Sequence, residues 1–181
     1  ADIDHAAKVG AQARIANAGQ VCTAAKRFIV HQKVADEFLK KFTQHFSELK
    51  TGDPLDSNTT LGPLSSAQAL KTLSKQVSEA VKQGAKLHYG GSAVANNAGN
   101  FFEATILTGI TRDNPAYFAE FFGPVAQIYV VENDEQLVEL ANDSHYGLGG
   151  ALFTRDLARA RRLASKIETG MLYVNSATDT A

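Results

Sequence analysis

The sequence predicts a single α/β domain in which a parallel β-sheet is covered on both faces. A chain of 181 residues with 44% hydrophobic residues can bury one full core, and its length gives no reason to expect a second domain. Short apolar segments of strand length alternate along the chain with longer segments in which apolar residues recur at helical spacing. This alternation is typical of strand-helix-strand units, whose strands run parallel and are buried on both faces.

The first predicted elements lie on either side of the only cysteine. Ala, Val and Ile recur at helical spacing over residues 4–17, and Gly19 follows where a left-handed residue can end a helix. Residues 28–30 are a short apolar segment that predicts a buried strand. Phenylalanine then recurs every fourth residue, which predicts an amphipathic helix that begins near Val34 and ends near Leu49.

The rest of the chain continues the alternation after a loop. The combinations GDP, DSN and LGP favour turns and predict a long loop over residues 52–66. The later segments have the lengths and periodicities of further helices and strands. In order, they are helix 67–83, strand 87–89, strand 101–107, strand 126–131, helix 134–142, strand 150–153, helix 157–167 and strand 171–174.

Charge and composition argue against several classes of partner. The 18 basic and 19 acidic side chains nearly cancel and form no run of like charge, which argues against nucleic acid or an anionic membrane surface as partner. No apolar stretch approaches the roughly 20 residues that a membrane-spanning helix needs, and the first residues match neither a signal nor a transit peptide. We therefore expect a soluble, cytoplasmic protein.

Cys22 is the only cysteine, so two interpretations of it are open from the residues alone. A lone cysteine is more often a small buried hydrophobe than a nucleophile. Gly19, however, lets the backbone turn tightly before Cys22, where free backbone N–H groups can favour a thiolate and stabilise an oxyanion. Lys26 and Arg27 add positive charge nearby, although their separation from Cys22 does not require either to face the sulfur.

The sequence predicts no metal site. One cysteine excludes a multi-thiolate site, and the five histidines are scattered over separate predicted elements. A dyad between Cys22 and one of the histidines stays open, although a structural or solvated role is more common for a single histidine.

Two motifs carry a resemblance to a known family. The segment NAGQVCTAAKR at residues 17–27 resembles the cysteine signature of the aldehyde dehydrogenase superfamily, Gly-Gln-x-Cys-x-Ala with an arginine five residues after the cysteine. About a hundred residues later, EFFGPV at residues 120–125 resembles the second signature of that family, Glu-x-Phe-Gly-Pro-Val. Two matches in the family's order, with further similarity along the whole chain, identify it as similar to the catalytic domain of this superfamily. The resemblance implies a three-layer, parallel-sheet catalytic domain over residues 1–181.

The resemblance implies a mechanism and roles for three residues. Cys22 matches the thiolate that adds to an aldehyde, after which hydride passes to NAD or NADP and water hydrolyses the thioester. Glu120 matches the carboxylate that accepts hydrogen bonds from the nicotinamide ribose, and Phe122 matches the aromatic residue beside the nicotinamide. Without the motif, a solvated loop carboxylate and a core aromatic would be the ordinary interpretations of Glu120 and Phe122.

The resemblance also implies that other parts of the enzyme lie outside residues 1–181. In the family, the general-base glutamate, the oxyanion-hole asparagine and the nucleotide-binding turn belong to an upstream domain, and an oligomerisation arm lies elsewhere. We therefore expect the upstream nucleotide-binding domain of the same enzyme as a partner, and a homo-oligomer as the assembly. The isolated segment is expected to be inactive.

Within the superfamily, the bacterial branch that oxidises succinate semialdehyde is most similar in three segments: GQVCTAAKRF at residues 19–28, GDPLDSNTTLGPL at 52–64 and AGNFFEATIL at 98–107. Val21 and Thr23 flank the cysteine and are expected to line the aldehyde channel. Ser176 and Thr178 follow the last strand, where their hydroxyls could donate to a substrate carboxylate.

One position departs from that branch and keeps alternatives open. Relatives that bind the succinate carboxylate often have Arg or Gln six residues before the cysteine, whereas this chain has Ala16. Arg14 is two residues earlier and is expected to point away from that face of the helix. The alternatives are therefore a general aliphatic aldehyde dehydrogenase, or a non-catalytic assembly domain in which Cys22 is inert.

Overall fold

A four-stranded β-sheet forms the centre of the molecule. The computed structural model describes residues 1–94 and 99–178. The α-helices are α1 (Ile3–Ile15), α2 (Gln32–Ser47), α3 (Ala67–Lys82), α4 (Asp134–Asn142) and α5 (Leu157–Ala164). The strands are β1 (Arg27–His31), β2 (Lys86–Tyr89), β3 (Thr105–Thr108), β4 (Val125–Val131), β5 (Gly150–Leu152) and β6 (Leu172–Val174). The predicted elements are confirmed in type and order, and their ends differ by a few residues.

Three strands of the central sheet are parallel, and the fourth runs antiparallel, which differs from the prediction. The strand order is β1-β4-β3-β2, and β4 pairs in parallel with both β1 and β3. β2 runs antiparallel to β3, whereas the alternation of elements predicts a fully parallel sheet. The connection between β2 and β3 contains no helix in its described part, and antiparallel neighbours need no crossover helix.

The last two strands pair with each other and do not extend the central sheet. β5 and β6 form a separate two-stranded parallel sheet. α5 lies between them in the chain and provides the crossover that parallel neighbours require. The expectation of one continuous sheet is therefore wrong at this end of the chain, although both strands are present.

Helices cover both faces of the central sheet, which confirms the three-layer architecture. On one face, the phenylalanines of α2 and the alanines of α1 pack against Ala126 and Ile128 of β4. On the other face, α3 packs against Val125 and Tyr129, the alternate residues of the same strand. Among the helices of the described residues, none is long and apolar enough to cross a membrane.

Asp134 joins two helices at the periphery of the fold. Its carboxylate, at the start of α4, accepts hydrogen bonds from Arg159 Nε at 3.0 and 3.1 Å and from Arg162 Nη2 at 2.7 Å, both on α5. The hydrogen bonds from Arg159 are the largest cause that lowers the pKa of Asp134 from 3.8 to about 2. The carboxylate is therefore stabilised in its charged form by the folded structure.

The Asp134→Asn variant should lose stability in a pH-dependent manner. At pH 7 we expect a loss of about 1–2 kcal/mol in the free energy of unfolding, allowing for screening by solvent. Because the pKa is lowered on folding, this contribution is complete above about pH 5 and disappears as the pH falls towards about 2. Urea denaturation at pH 7 and pH 3 should show a smaller difference at pH 3. Asp36→Asn, at an exposed position of α2, is the control. A difference independent of pH would contradict the assignment.

Candidate functional site

The turn that carries Cys22 begins with strained backbone. After α1, residues Asn17, Ala18 and Gly19 all have positive φ, at 49°, 54° and 77°. Left-handed backbone costs a residue with a Cβ about 1–2 kcal/mol, whereas glycine adopts it freely. The left-handed conformation predicted for Gly19 is confirmed. The strain at the two preceding residues explains why α1 ends at Ile15, before the predicted residue 17.

Gly19 brings the two sequence motifs together through the backbone. A Cβ added to Gly19 would lie 2.2 Å from the carbonyl oxygen of Gly123 and 2.6 Å from Arg14 Nη2. No side chain fits in that space, because real Cβ contacts are essentially never shorter than 3.0 Å. The turn before Cys22 therefore packs directly on the turn after Phe122, and glycine is required at the contact.

Cys22 lies on a short, solvent-accessible turn. Ala24 N–H donates to the carbonyl of Val21 at 3.0 Å, which closes the turn around Cys22, and the cysteine is exposed. A cysteine that serves only as a small hydrophobe in the core would be buried, so this position does not fit that interpretation. The nucleophilic role of the thiol stays a prediction.

Lys26 folds back towards the turn that carries Cys22. Its Nζ is 3.0 Å from Oε1 of Glu120 and also donates to main-chain carbonyl oxygens of that turn. The sequence left the direction of this side chain open. In the structure one ammonium joins the cysteine motif to the carboxylate of the second motif, two segments that are about a hundred residues apart.

The second motif presents one polar and one aromatic group. Glu120 is 30% exposed and ion-paired, and Gln76 of α3 donates to its main-chain carbonyl at 3.1 Å. Phe121 is fully buried in the core on the α3 side of the sheet, whereas Phe122 is 46% exposed. Phe121 therefore anchors the segment and leaves the ring of Phe122 at the surface. This arrangement does not fit the alternative of a core aromatic at Phe122, and its role towards a cofactor stays a prediction.

Gln20 fixes the Cys22 turn to the long loop before α3. Its Nε2 donates to the carbonyls of Asn17 at 3.1 Å and Pro63 at 3.3 Å, and its Oε1 accepts from Ser65 N–H at 2.8 Å. The sequence did not indicate this role. Its only signal was the place of Gln20 in the cysteine motif, because two of its three partners, Pro63 and Ser65, are more than forty residues away.

The residues expected to line a substrate channel are partly brought together. Thr178 Oγ1 donates to the carbonyl of Thr23 at 3.1 Å, and Val21 and Thr23 are half-buried on either side of Cys22. A hydroxyl has one proton to donate, so Thr178 uses it on the Cys22 turn and not on a substrate. Ser176 is exposed. Of Ser176 and Thr178, Ser176 is the one that keeps its hydroxyl proton available for a substrate carboxylate.

Arg14 contacts the backbone at the start of the Cys22 turn, a contact that the sequence did not predict. It is fully buried, and its Nη2 donates to the carbonyl of Gly19 at 2.5 Å. Burial is the main cause that lowers its pKa to about 10, and the charge of Glu120 opposes the shift. The available signal was its place on the same face of α1 as the buried Ala7 and Ala11. Burial also means that Arg14 cannot meet a substrate carboxylate.

Arg27, the arginine of the cysteine motif, has a structural role. Its guanidinium lies 5.4 Å from the ring centre of Tyr117 and 5.3 Å from that of Tyr129, and Nη2 donates to the carbonyl of Leu140 at 2.8 Å. These contacts join β1 to α4 and to the two tyrosines, which are buried in the core on the α3 side of the sheet. The positive charge of Arg27 is therefore directed into the fold.

Within residues 1–94 and 99–178, the contacts of the histidine rings involve groups other than the Cys22 thiol. His5 contacts the carbonyl of Asn175, His31 the Lys33 N–H, His45 the Glu48 carboxylate and His145 the Phe118 ring. No group of three or more His, Cys, Asp or Glu side chains in that part of the chain could hold a metal ion. The structure therefore gives no support to a dyad of Cys22 with any of these four histidines.

Comparison with known proteins gives matches over the whole chain. A sequence model of the aldehyde dehydrogenase family matches residues 1–181. The succinate-semialdehyde dehydrogenase (NADP+) of Deinococcus radiodurans is 46% identical over 180 residues, which are 99% of this chain and 38% of that protein. The succinate semialdehyde dehydrogenase (NAD(P)+) Sad of Escherichia coli is 40% identical over 97% of this chain and 38% of that protein.

A solved structure agrees with the sequence comparisons. The succinic semialdehyde dehydrogenase of Streptococcus pyogenes, in complex with NADP+ as the cofactor, superposes with a TM-score of 0.95 at 48% sequence identity. The match covers 99% of this chain and 39% of the Streptococcus chain. The chain thus spans well under half the length of these relatives.

Proposed function

The chain belongs to the aldehyde dehydrogenase family, and from that membership we propose that it carries the nucleophile of an enzyme that oxidises succinate semialdehyde to succinate with NADP+ or NAD+. The observation that carries this proposal is the position of Cys22. It is exposed on a turn that is fixed to Glu120 and to Gly123 of the second motif. Direct contacts thus hold the proposed nucleophile next to the residues that we propose for the cofactor site.

The residues of the second motif fit a nicotinamide cofactor. Glu120 keeps part of its carboxylate accessible, so it can accept hydrogen bonds from ribose hydroxyls. The exposed ring of Phe122 offers an apolar surface beside it. When bound, NADP+ or NAD+ supplies the hydride acceptor.

In the proposed reaction, Cys22 carries every covalent intermediate. Its thiolate adds to the aldehyde carbon, which forms a C–S bond and a thiohemiacetal. The C–H bond of that carbon then breaks, its hydride would pass with both electrons to bound NADP+ or NAD+, the hydroxyl proton is released, and the carbonyl reforms as a thioester. Water finally cleaves the C–S bond, releasing the carboxylate and the free thiol. We propose that the base for this last step, most of the cofactor site and the contacts of a homo-oligomer lie outside residues 1–181, because the relatives are much longer.

The substrate proposal rests on the relatives and on one hydroxyl. The Deinococcus, Escherichia and Streptococcus proteins are all named for succinate semialdehyde. In this chain Ser176 is exposed near Thr178, which contacts the Cys22 turn, and Ser176 can donate to the carboxylate of that substrate. Ala16 gives no such contact, so further carboxylate recognition falls to residues outside this chain.

Steady-state kinetics of the full-length enzyme test the substrate assignment. We expect kcat/KM for succinate semialdehyde to exceed that for butyraldehyde, which lacks the carboxylate, by about 10²-fold or more, because a charged recognition group contributes several kcal/mol. NADP+ and NAD+ should be compared as acceptors in the same assay. Equal values for the two aldehydes would remove the semialdehyde assignment and favour a general aliphatic aldehyde dehydrogenase.

A further inference from the structure

Lys26 contacts more acceptors than its ammonium has hydrogens. Its Nζ lies 3.2 Å from the carbonyl oxygen of Val21, 3.1 Å from that of Cys22 and 3.2 Å from that of Ala24. The Glu120 carboxylate is a fourth acceptor at 3.0 Å. An ammonium has three N–H donors, so all of them are used within the protein.

The position of the Lys26 ammonium carries a desolvation cost that an ordinary surface lysine does not have. The Lys26 side chain is only 15% exposed, and desolvation is the largest cause that lowers its pKa, while the hydrogen bond to Glu120 opposes the shift. A buried ammonium is stable only if its partners replace the lost water. Here the partners are the carbonyls of one turn and a single carboxylate, so the position of the turn and the position of the charge depend on each other.

The two ends of the turn are held by different cations. Arg14 donates to the carbonyl of Gly19, before Cys22, and Lys26 binds the carbonyls on both sides of Cys22. The charge of Glu120 acts on both cations. Arg14 therefore contacts the entry of the turn, whereas Lys26 is the cation that contacts the segment containing the sulfur.

We propose that Lys26 is a positioning residue whose ammonium holds the Cys22 turn in place against the Glu120 carboxylate. This inference rests on the proposed function, in which Cys22 is the nucleophile and Glu120 belongs to the cofactor site. Lys26 itself touches neither substrate nor cofactor in this scheme. Its effect on the reaction passes through the orientation of Cys22 relative to the bound reactants, where small displacements have large effects on rate.

Substitutions of Lys26 in the full-length enzyme test this role. Lys26→Met shortens the side chain by only one heavy atom but removes the charge and the three donors. We expect it to lower kcat per folded enzyme, with the folded fraction measured by circular dichroism, by about 10- to 100-fold, and to change KM for the aldehyde by less than about 3-fold. Lys26→Arg keeps the charge and several donors and should recover most of kcat. Lys40→Met, at an exposed position of α2, is the control and should match the wild type.

Expressing kcat per folded enzyme separates a positioning role of Lys26 from a merely structural one. If Lys26 only stabilised the fold, Lys26→Met would reduce the melting temperature and the folded fraction but not kcat per folded enzyme. That outcome, or wild-type kcat in a folded Lys26→Met variant, would overturn the proposal. Should Lys26→Met fail to fold, Lys26→Gln, which also loses the charge but keeps a polar end, gives the same comparison.

A double-mutant cycle tests the part played by Glu120. If the ion pair anchors the turn, Lys26→Met and Glu120→Gln should affect kcat non-additively, because either change breaks the same link. Additive effects would show that Glu120 is not the anchor. Replacement of Cys22 distinguishes a failure of this inference from a failure of the proposed function. If a Cys22→Ser variant still oxidises the aldehyde, the proposed function is refuted, whatever the behaviour of Lys26.

Discussion

Replacement of Cys22 by serine should abolish aldehyde oxidation in the full-length enzyme. We expect kcat to fall by at least about 10⁴-fold, because a serine hydroxyl is hardly ionised at neutral pH and no longer supplies the thiolate that forms the covalent intermediate. The substitution changes one atom at an exposed position, so the fold should be preserved. Steady-state assays, together with the melting temperature, measure the two effects separately.

Thiol labelling provides an independent measurement on the wild type. Iodoacetamide at neutral pH should modify Cys22 faster than free cysteine, and the loss of activity should follow the extent of modification at that residue as mapped by mass spectrometry. Labelling no faster than that of free cysteine, combined with activity that survives full modification, would refute the assignment. The remaining interpretation would then be an assembly domain with an inert thiol.

Replacement of Gly19 by alanine should have the second-largest effect. The added Cβ would overlap the carbonyl of Gly123 at 2.2 Å, and alanine at φ +77° is itself strained. We expect a loss of about 3 kcal/mol or more in the free energy of unfolding, because backbone atoms on both sides of the contact must move. In the variant that folds, kcat should fall by more than about 100-fold, since the displaced turn carries Cys22.

Gly62→Ala is the matched control for this effect. A Cβ at Gly62 meets no atom within 4 Å, so the substitution should leave both urea denaturation and kcat close to the wild type. If Gly19→Ala behaves like Gly62→Ala, the close contact between the two motifs is not a requirement of the fold. A loss of stability without a loss of kcat per active site would show that the contact supports the fold but not the geometry of the reaction.

The sequence predicted most of the elements because each depends on local periodicity. The phenylalanines of α2 recur at helical spacing and are buried on one face, which is what their pattern indicated. The direction of β2 could not be predicted in the same way, since a four-residue strand carries no local signal of its pairing direction. The separate pairing of β5 with β6 was hidden for the same reason.

At the candidate site, the motifs indicated which residues belong together but not how they are held. The order of the two signatures placed Cys22, Glu120 and Phe122 in one proposed site. The sequence could not show that Arg14 donates to the carbonyl of Gly19, because its place on the buried face of α1 indicates burial but not the partner. Nor could it show that Thr178 donates its proton to the Cys22 turn, a contact between residues more than 150 positions apart.

Local patterns in the sequence determined the α/β class, the element order, the left-handed Gly19 and the family resemblance, because these depend on neighbouring residues or on short motifs. Only the tertiary structure decided that Cys22 is exposed, that Phe122 is accessible while Phe121 is buried, and that Lys26 faces Glu120. The reason is physical: exposure and ion pairing depend on which distant segments the parallel strands bring to the same end of the sheet. A glycine-to-glycine backbone contact and one buried ammonium then hold the two motifs together.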